Sequence, residues 1–293
     1  MSGAIVRARG ITKRFGDHVA VDGIDVDIME GEIMGFLGPN GAGKTTTMRM
    51  LTTLSQPTSG EIEVDGRRIS GSSDPVKESI GIIQQHTALD RDVSVLENIR
   101  YHAMLHRMSR READERIAEL TELMGLTPYL DRLAINLSGG WKRRVAIVCA
   151  IIHRPRILFL DEPTAGLDTQ SRHMLWDLIR QLNSEGTTIF ITTHYMDEAE
   201  ELCDRVAIID HGRIVREGTP AELCRSIGQW AVEYRSEGRK SYRYFTERDD
   251  ARSFLDSLPP DVPTVSRATN LEDVFLELTG RETVATEEVS YKI

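Results

Sequence analysis

Two short clusters in this sequence have the residue types and spacing of a phosphate-handling site. The first is Gly38-Pro39-Asn40-Gly41-Ala42-Gly43-Lys44-Thr45, which fits the pattern GxxxxGK[ST]. Its glycines let the backbone curl until consecutive N–H groups face one anion. A helix opening at Thr45 adds the positive end of its dipole. Lys44 is then within reach of the β- and γ-phosphates of a nucleotide, and the Thr45 hydroxyl can ligate Mg²⁺, with Thr46 next in the same cradle. The competing reading, a glycine-rich turn with an exposed lysine, accounts less well for the apolar run before the motif and the helical pattern after it.

The second cluster is Ile157-Leu158-Phe159-Leu160-Asp161-Glu162, an apolar strand pattern that ends in two acids. An acid at the C-terminal end of a parallel strand lies where ligands bind in open α/β sheets. Asp161 is the expected partner of Mg²⁺. Glu162, one residue further, can point at an attacking water as general base. Alone, the pair could equally be turn carboxylates before Pro163. Together with the phosphate cradle it implies ATP and Mg²⁺ binding followed by hydrolysis.

These clusters need elements to hold them. Ile33 to Leu37 reads as a strand entering the cradle, and Thr45 to Leu54 as the helix leaving it, with Met48, Leu51 and Leu54 on one face. Ala4 to Ile11 and Ala20 to Ile28 alternate like half-buried antiparallel strands around the Gly16-Asp17 turn. Glu61 to Asp65 and Arg67 to Ile69 flank Asp65-Gly66, a hairpin signal. From about 90 to 154 the pattern is helical. Ser109 and Glu112 have capping-box spacing, Ile117, Leu120 and Met124 make an apolar face, and Gly125 is a stop. A further helix is expected over Trp141 to His153. Strands at Ile157 to Leu160, Thr188 to Thr192 and Val206 to Ile209 then alternate with helices at Ser171 to Leu182 and Met196 to Leu202, as in a parallel sheet covered on both faces. After Pro220 the chain becomes more polar and aromatic. It passes Pro259, Pro260 and Pro263, and ends in an amphipathic helix at Leu271 to Gly280 and a tail.

Composition narrows the partners. Across 293 residues the formal net charge is −10, against the basic surface that nucleic acid or an anionic membrane requires; no nucleic-acid partner is expected. Cys149, Cys203 and Cys224 form no CxxC pair, which fits a reducing compartment. The N-terminus lacks the apolar core of a signal peptide. No segment approaches the roughly 20 apolar residues of a membrane span, so a pore would belong to another chain.

Leu137-Ser138-Gly139-Gly140 lies between the two clusters. By itself it reads as a helix N-cap with glycine neighbours. In the order cradle, LSGG, apolar strand with Asp-Glu, the chain resembles the ATP-binding subunit of an ABC transporter over about Ile5 to Gly218. The resemblance implies an α/β P-loop NTPase core with an antiparallel β subdomain and a helical signature subdomain. These make an ATPase domain at 1–219, and a small α+β extension occupies 220–293. It also implies a head-to-tail homodimer in which Ser138, Gly139 and Gly140 of one copy cap the γ-phosphate held by the other. Trp141 stands where the family most often has Gln. Phe15 matches the aromatic that stacks on adenine, although a core Phe fits the strand pattern too. Gln85 matches the glutamine that contacts Mg²⁺ and the water, and Gln84 stands where many members have Pro. Asp168 matches an aspartate that works across the dimer, and His194 the histidine near the γ-phosphate.

Thr193 to Glu200 and Leu271 to Gly280 are similar to the ATPases of bacterial ABC-2-type exporters, the daunorubicin-resistance group among them. That implies a separate integral-membrane permease and a position at the cytoplasmic face of the membrane. A soluble regulatory ABC ATPase is the rival reading. DNA-repair members would need coiled-coil insertions, and translation factors a second cassette; neither is found in the sequence.

Overall fold

The computed structural model describes residues 3–69, 75–84, 89–236 and 239–280. A long antiparallel pair opens the chain, β1 (Ala4–Phe15) and β2 (His18–Met29), followed by β3 (Ile33–Leu37) and α1 (Lys44–Leu51). β4 (Ser59–Val64) and β5 (Arg67–Arg68) complete a four-stranded sheet in the order β2-β1-β4-β5. β1 runs on to Phe15 rather than stopping near Ile11. Gly10, at φ +56°, takes up the register shift between Ala8 and Ile11, its N–H donates to Asp25 Oδ1 at 2.7 Å, and pairing resumes beyond it.

The central sheet has six strands. β6 (Ile80–Ile83), β7 (Ile157–Asp161), β8 (Thr188–Thr193), β9 (Arg205–Asp210) and β10 (Arg213–Gly218) join β3 in the order β10-β9-β3-β8-β7-β6. All pairings are parallel except the hairpin of β9 and β10. The helices are α2 (Val95–Leu105), α3 (Arg110–Leu123), α4 (Gly139–Ile151), α5 (Thr169–Ser184) and α6 (Met196–Leu202). Ser94 and Ser109 each form a full capping box, with Glu97 and Glu112 respectively.

Strand periodicity divides the interior in two. Met34, Phe36, Ile157, Phe159, Phe190, Ala207 and Ile209 face the antiparallel sheet and α1. Their neighbours Ile33, Leu37, Leu158, Leu160, Ile189, Ile191, Val206 and Ile208 face α2 to α6. Phe190 sits between Phe36 and Phe159, with ring centroids 5.5 and 5.7 Å away. α1 is thus clamped between two sheets by Met48, Met50 and Leu51.

Among the departures from the sequence expectation are two further helix boundaries and one strand that was not expected. α1 ends at Leu51, not Leu54, because the Thr52 hydroxyl donates back to Met48 O at 2.8 Å and Thr53 turns to φ +63°. α4 begins at Gly139, two residues before Trp141, with Ser138 at its N-cap. β6 carries a glycine that obscures its strand pattern. A Cβ on Gly81 would lie 2.6 Å from Ala150 O, so the close crossing of α4 requires that glycine.

Beyond 220 lie α7 (Pro220–Ile227), β11 (Trp230–Ser236), β12 (Arg239–Phe245), α8 (Arg248–Ser257), β13 (Thr264–Ala268) and α9 (Leu271–Thr279), with a three-stranded sheet in the order β12-β11-β13. Leu223 of α7 and Leu271, Val274 and Phe275 of α9 enter the same core as α2 to α6. Glu200 Oε1 also accepts a hydrogen bond from Leu271 N–H. Phe159→Ala is expected to remove about 3–5 kcal/mol of stability by opening a cavity beneath the nucleotide loop. A urea midpoint equal to that of the parent would contradict this.

Candidate active site

The cradle is the turn from β3 into α1. A Cβ on Gly38 would lie 2.3 Å from Ile209 O, so the loop must leave the sheet as bare backbone. A Cβ on Gly43, which sits at φ +109°, would lie 2.6 Å from Ala20 O, so bare backbone lets the loop close against β2. Pro39, Asn40, Gly41 and Ala42 carry the chain between these points. No side chain caps the first turn of α1, and the N–H groups of Lys44, Thr45 and Thr46 have no helical carbonyl to bond.

Lys44 is only 5% exposed. Its ammonium donates to Gly38 O at 2.7 Å and Pro39 O at 3.2 Å, and lies 3.3 Å from Glu162 Oε1. Burial lowers its pKa, and Glu162 opposes that shift. Asp161 Oδ1 accepts from the hydroxyls of Thr45, at 3.1 Å, and Thr192. One carboxylate oxygen therefore joins the start of α1 to the ends of β7 and β8.

Glu162 follows with φ +44°, a left-handed conformation that costs a non-glycine residue about 1–3 kcal/mol. Its N–H donates to Thr192 O at 3.0 Å, which fixes the turn against β8. His194 Nδ1 lies 3.2 Å from Glu162 Oε1, off the line of a well-formed hydrogen bond. The contact with His194 is the largest influence lowering the Glu162 pKa; burial opposes it, and the Lys44 charge adds to it. The structure therefore gathers Lys44, Thr45, Asp161, Glu162 and His194 in one place.

Other expected residues lie elsewhere. Ser138, Gly139 and Gly140 start α4 at the surface, and the Ser138 side chain makes no capping bond. Trp141 packs on Tyr129, with centroids 4.3 Å apart, and the Arg144 guanidinium lies over its ring at 4.5 Å. Arg132 stacks on Tyr129 in turn, at 4.8 Å. Asp168 caps α5, its carboxylate accepting from Ser171 N–H at 2.8 Å and Ser171 Oγ at 2.9 Å. Phe15 is 55% exposed, which excludes the core reading of that ring. Gln85 lies outside the described residues.

Three residues around the site went unread in the sequence. Thr192 is the hydroxyl that fixes Asp161; its polar position at the end of an apolar strand was the available signal. Arg143 is buried beneath the turn that carries Glu162, with its Nε donating to Pro163 O at 3.1 Å. The Lys142-Arg143-Arg144 run resembles a solvated face, but Arg143 shares its side of α4 with buried Ile147. Glu198 of α6 is fully buried and accepts from Trp176 Nε1 at 3.3 Å.

The chain matches the family model described as "ABC transporter" over residues 21–165. It is 40% identical to Nod factor export ATP-binding protein I of Cupriavidus metallidurans, an alignment spanning 95% of this chain and 98% of that one. It is 43% identical to the daunorubicin/doxorubicin resistance ATP-binding protein DrrA of Streptomyces peucetius, over 78% of this chain and 70% of that one. Among solved structures, cbiO1 of Clostridium perfringens, part of the cbiONQ ABC transporter complex, superposes with a TM-score of 0.68 at 31% identity, covering 76% of this chain and 91% of that one. A dimeric ATP-binding cassette in a post-hydrolysis state, bound to ADP and Pi, gives 0.67 at 27% identity, over 73% of this chain and 98% of that one. The fold and site define a P-loop ATPase. The chain belongs to the ABC transporter family. No helix among the described residues is long and apolar enough to cross a membrane.

Burial raises the Glu198 pKa above the ordinary 4.5, while the neighbouring Thr193, Thr164 and Trp176 side chains pull the other way. Between the unfolded value and the raised folded one, the native state binds more protons than the unfolded state. Stability therefore falls as pH rises through that window, and the cost is complete above it. Glu198→Gln should flatten the fall, seen in urea midpoints measured from pH 4 upward. A pH dependence identical to the parent's would refute the assignment.

Proposed function

We propose that this chain is the ATP-hydrolysing motor of an ABC-2-type exporter, acting as a homodimer with a separate integral-membrane permease at the cytoplasmic face of the membrane. The observation that carries the hydrolytic part is the shared carboxylate: Glu162 Oε1 lies within 3.3 Å of both Lys44 and His194, at the edge of the phosphate cradle. Its lowered pKa keeps it ionised at neutral pH, as a proton acceptor must be. Export, rather than some other use of ATP, is supported by relatives named as export and drug-resistance proteins, one of them aligned along nearly the whole chain.

In this reading the loop from Gly38 to Thr46 holds the phosphates of ATP through backbone N–H groups that follow Pro39, and Lys44 exchanges its loop carbonyls for phosphate oxygens. Thr45 and Asp161 are the residues that would hold Mg²⁺. Their oxygens lie 3.1 Å apart and offer the hard oxygen donors that the ion prefers. When bound, the ion neutralises phosphate charge. Glu162 takes the proton of the attacking water, and His194 orients the carboxylate. Gln85 adds a contact to the ion and the water. Phe15 presents an exposed ring for adenine.

The second copy supplies Ser138, Gly139 and Gly140, whose helix start lies at the surface and suits a γ-phosphate. Asp168 contributes across the same dimer while capping α5. Residues 1–219 form the ATPase domain and 220–293 the extension. The permease would dock between the segment of Gln85 and the helical subdomain, and the outer side of α2 in that subdomain offers apolar surface for it, with Tyr101, Met104 and Leu105 55, 64 and 55% exposed.

Glu162→Gln should slow hydrolysis by about a hundredfold or more and leave a stable ATP-bound dimer, measured by phosphate release and size exclusion. Full activity in this variant would end the general-base assignment. Leu105→Glu should leave basal hydrolysis intact and reduce recovery of the chain with the permease from detergent-solubilised membranes. Undiminished recovery would remove α2 from the interface.

A further inference from the structure

Arg143 projects from the second turn of α4 into the space under the turn after β7, where it is 7% exposed. Its fork bonds to backbone on every nitrogen. Nε donates to Pro163 O at 3.1 Å, Nη1 to Gln84 O, and Nη2 to Asp161 O and Glu162 O at 3.5 Å each. These acceptors belong to two segments distant in sequence: the residue that follows β6, and the turn that carries the proposed base. Only a planar guanidinium presents enough donors at fixed angles to serve both.

The Glu162 peptide is thereby held from two sides. Its N–H is fixed to Thr192 of β8, and its carbonyl faces Arg143. A left-handed glutamate persists only where its surroundings over-determine it. The charges facing the guanidinium are Asp161 of β7 and Glu198 of α6, and although burial brings its pKa down to about 10, it stays cationic at neutral pH.

We propose that Arg143 is a positioning residue for hydrolysis, setting the backbone of Glu162 and tying it directly to its own helix, which begins at Ser138 to Gly140, and to the end of β6 through Gln84. Displacement of α4 when a second subunit engages its N-terminus then reaches the catalytic carboxylate along a chain of hydrogen bonds within one subunit. The inference rests on Glu162 being the base.

The test compares Arg143→Lys, which keeps the charge and loses the fork, and Arg143→Gln with Glu162→Gln. Misplacing a reacting group by about 1 Å costs as much as 10²-fold, so kcat should fall about tenfold or more in both Arg143 variants. KM for ATP should stay within about twofold, and the ATP-bound dimer should accumulate as it does for Glu162→Gln. Deuterium uptake should rise across 161–165 and stay unchanged across 44–51. If Arg143→Gln fails to fold, Arg143→Lys decides by the same readouts. A parental kcat in Arg143→Lys overturns the proposal. So does a loss of kcat that merely tracks weaker ATP binding and a lower melting temperature, which is what a purely structural role gives. Full activity in Glu162→Gln would instead sink the base assignment, whatever the Arg143 variants do.

Discussion

An ammonium group withheld from water organises the site. Lys44 sits almost entirely inside the protein, and a buried cation is tolerated only with acceptors close around it. Gly38 O, Pro39 O and Glu162 Oε1 are those acceptors, and each constrains something else. The two carbonyls fix the curl of the loop. The carboxylate brings the turn after β7 against the start of α1. The hydroxyl bridge from Thr45 and Thr192 to Asp161 reinforces the approach one residue earlier. Remove the charge and the curl of the loop and the turn after β7 lose the contact they share, and the Asp161 bridge is left to hold the start of α1 against the strand ends.

The two-sided sheet makes that arrangement rigid. Phe36, Phe159 and Phe190 fill the face toward α1, while the alternating aliphatic residues fill the face toward α2 to α6. A displacement of β7 would disturb both interiors, so the strand end carrying Asp161 has little freedom. α1, caught between two sheets, has little more. Rigidity of this kind lets a few hydrogen bonds hold reacting groups to small tolerances. α4 packs on the second interior, and its start stays at the surface.

Much of this was legible in the residues. The strand-loop-helix of the cradle, the acidic end of β7 and the alternation from 157 to 217 follow from periodicity and glycine placement, because backbone geometry leaves few choices there. What stayed hidden depends on tertiary approach. β6 reads poorly because Gly81 interrupts its apolar run, for a reason visible only once α4 lies across it. Arg143 sits in a basic run that resembles a solvated surface, and only helical phase separates it from Arg144. The boundary drawn at 220 followed a change in composition. Packing does not break there, since Leu271, Val274 and Phe275 return to the core of the preceding elements. Phe15 shows the converse: strand alternation allowed a core ring, and its exposure rules that out.

The stack of Arg132, Tyr129, Trp141 and Arg144 spends the side chain after Leu137-Ser138-Gly139-Gly140 on its own subunit. Held between the Tyr129 ring and the Arg144 guanidinium, the indole braces the first turn of α4 against the segment before it. The helix start at Ser138 and the ring three residues on thus answer to different neighbours, one facing outward and the other packed within the chain.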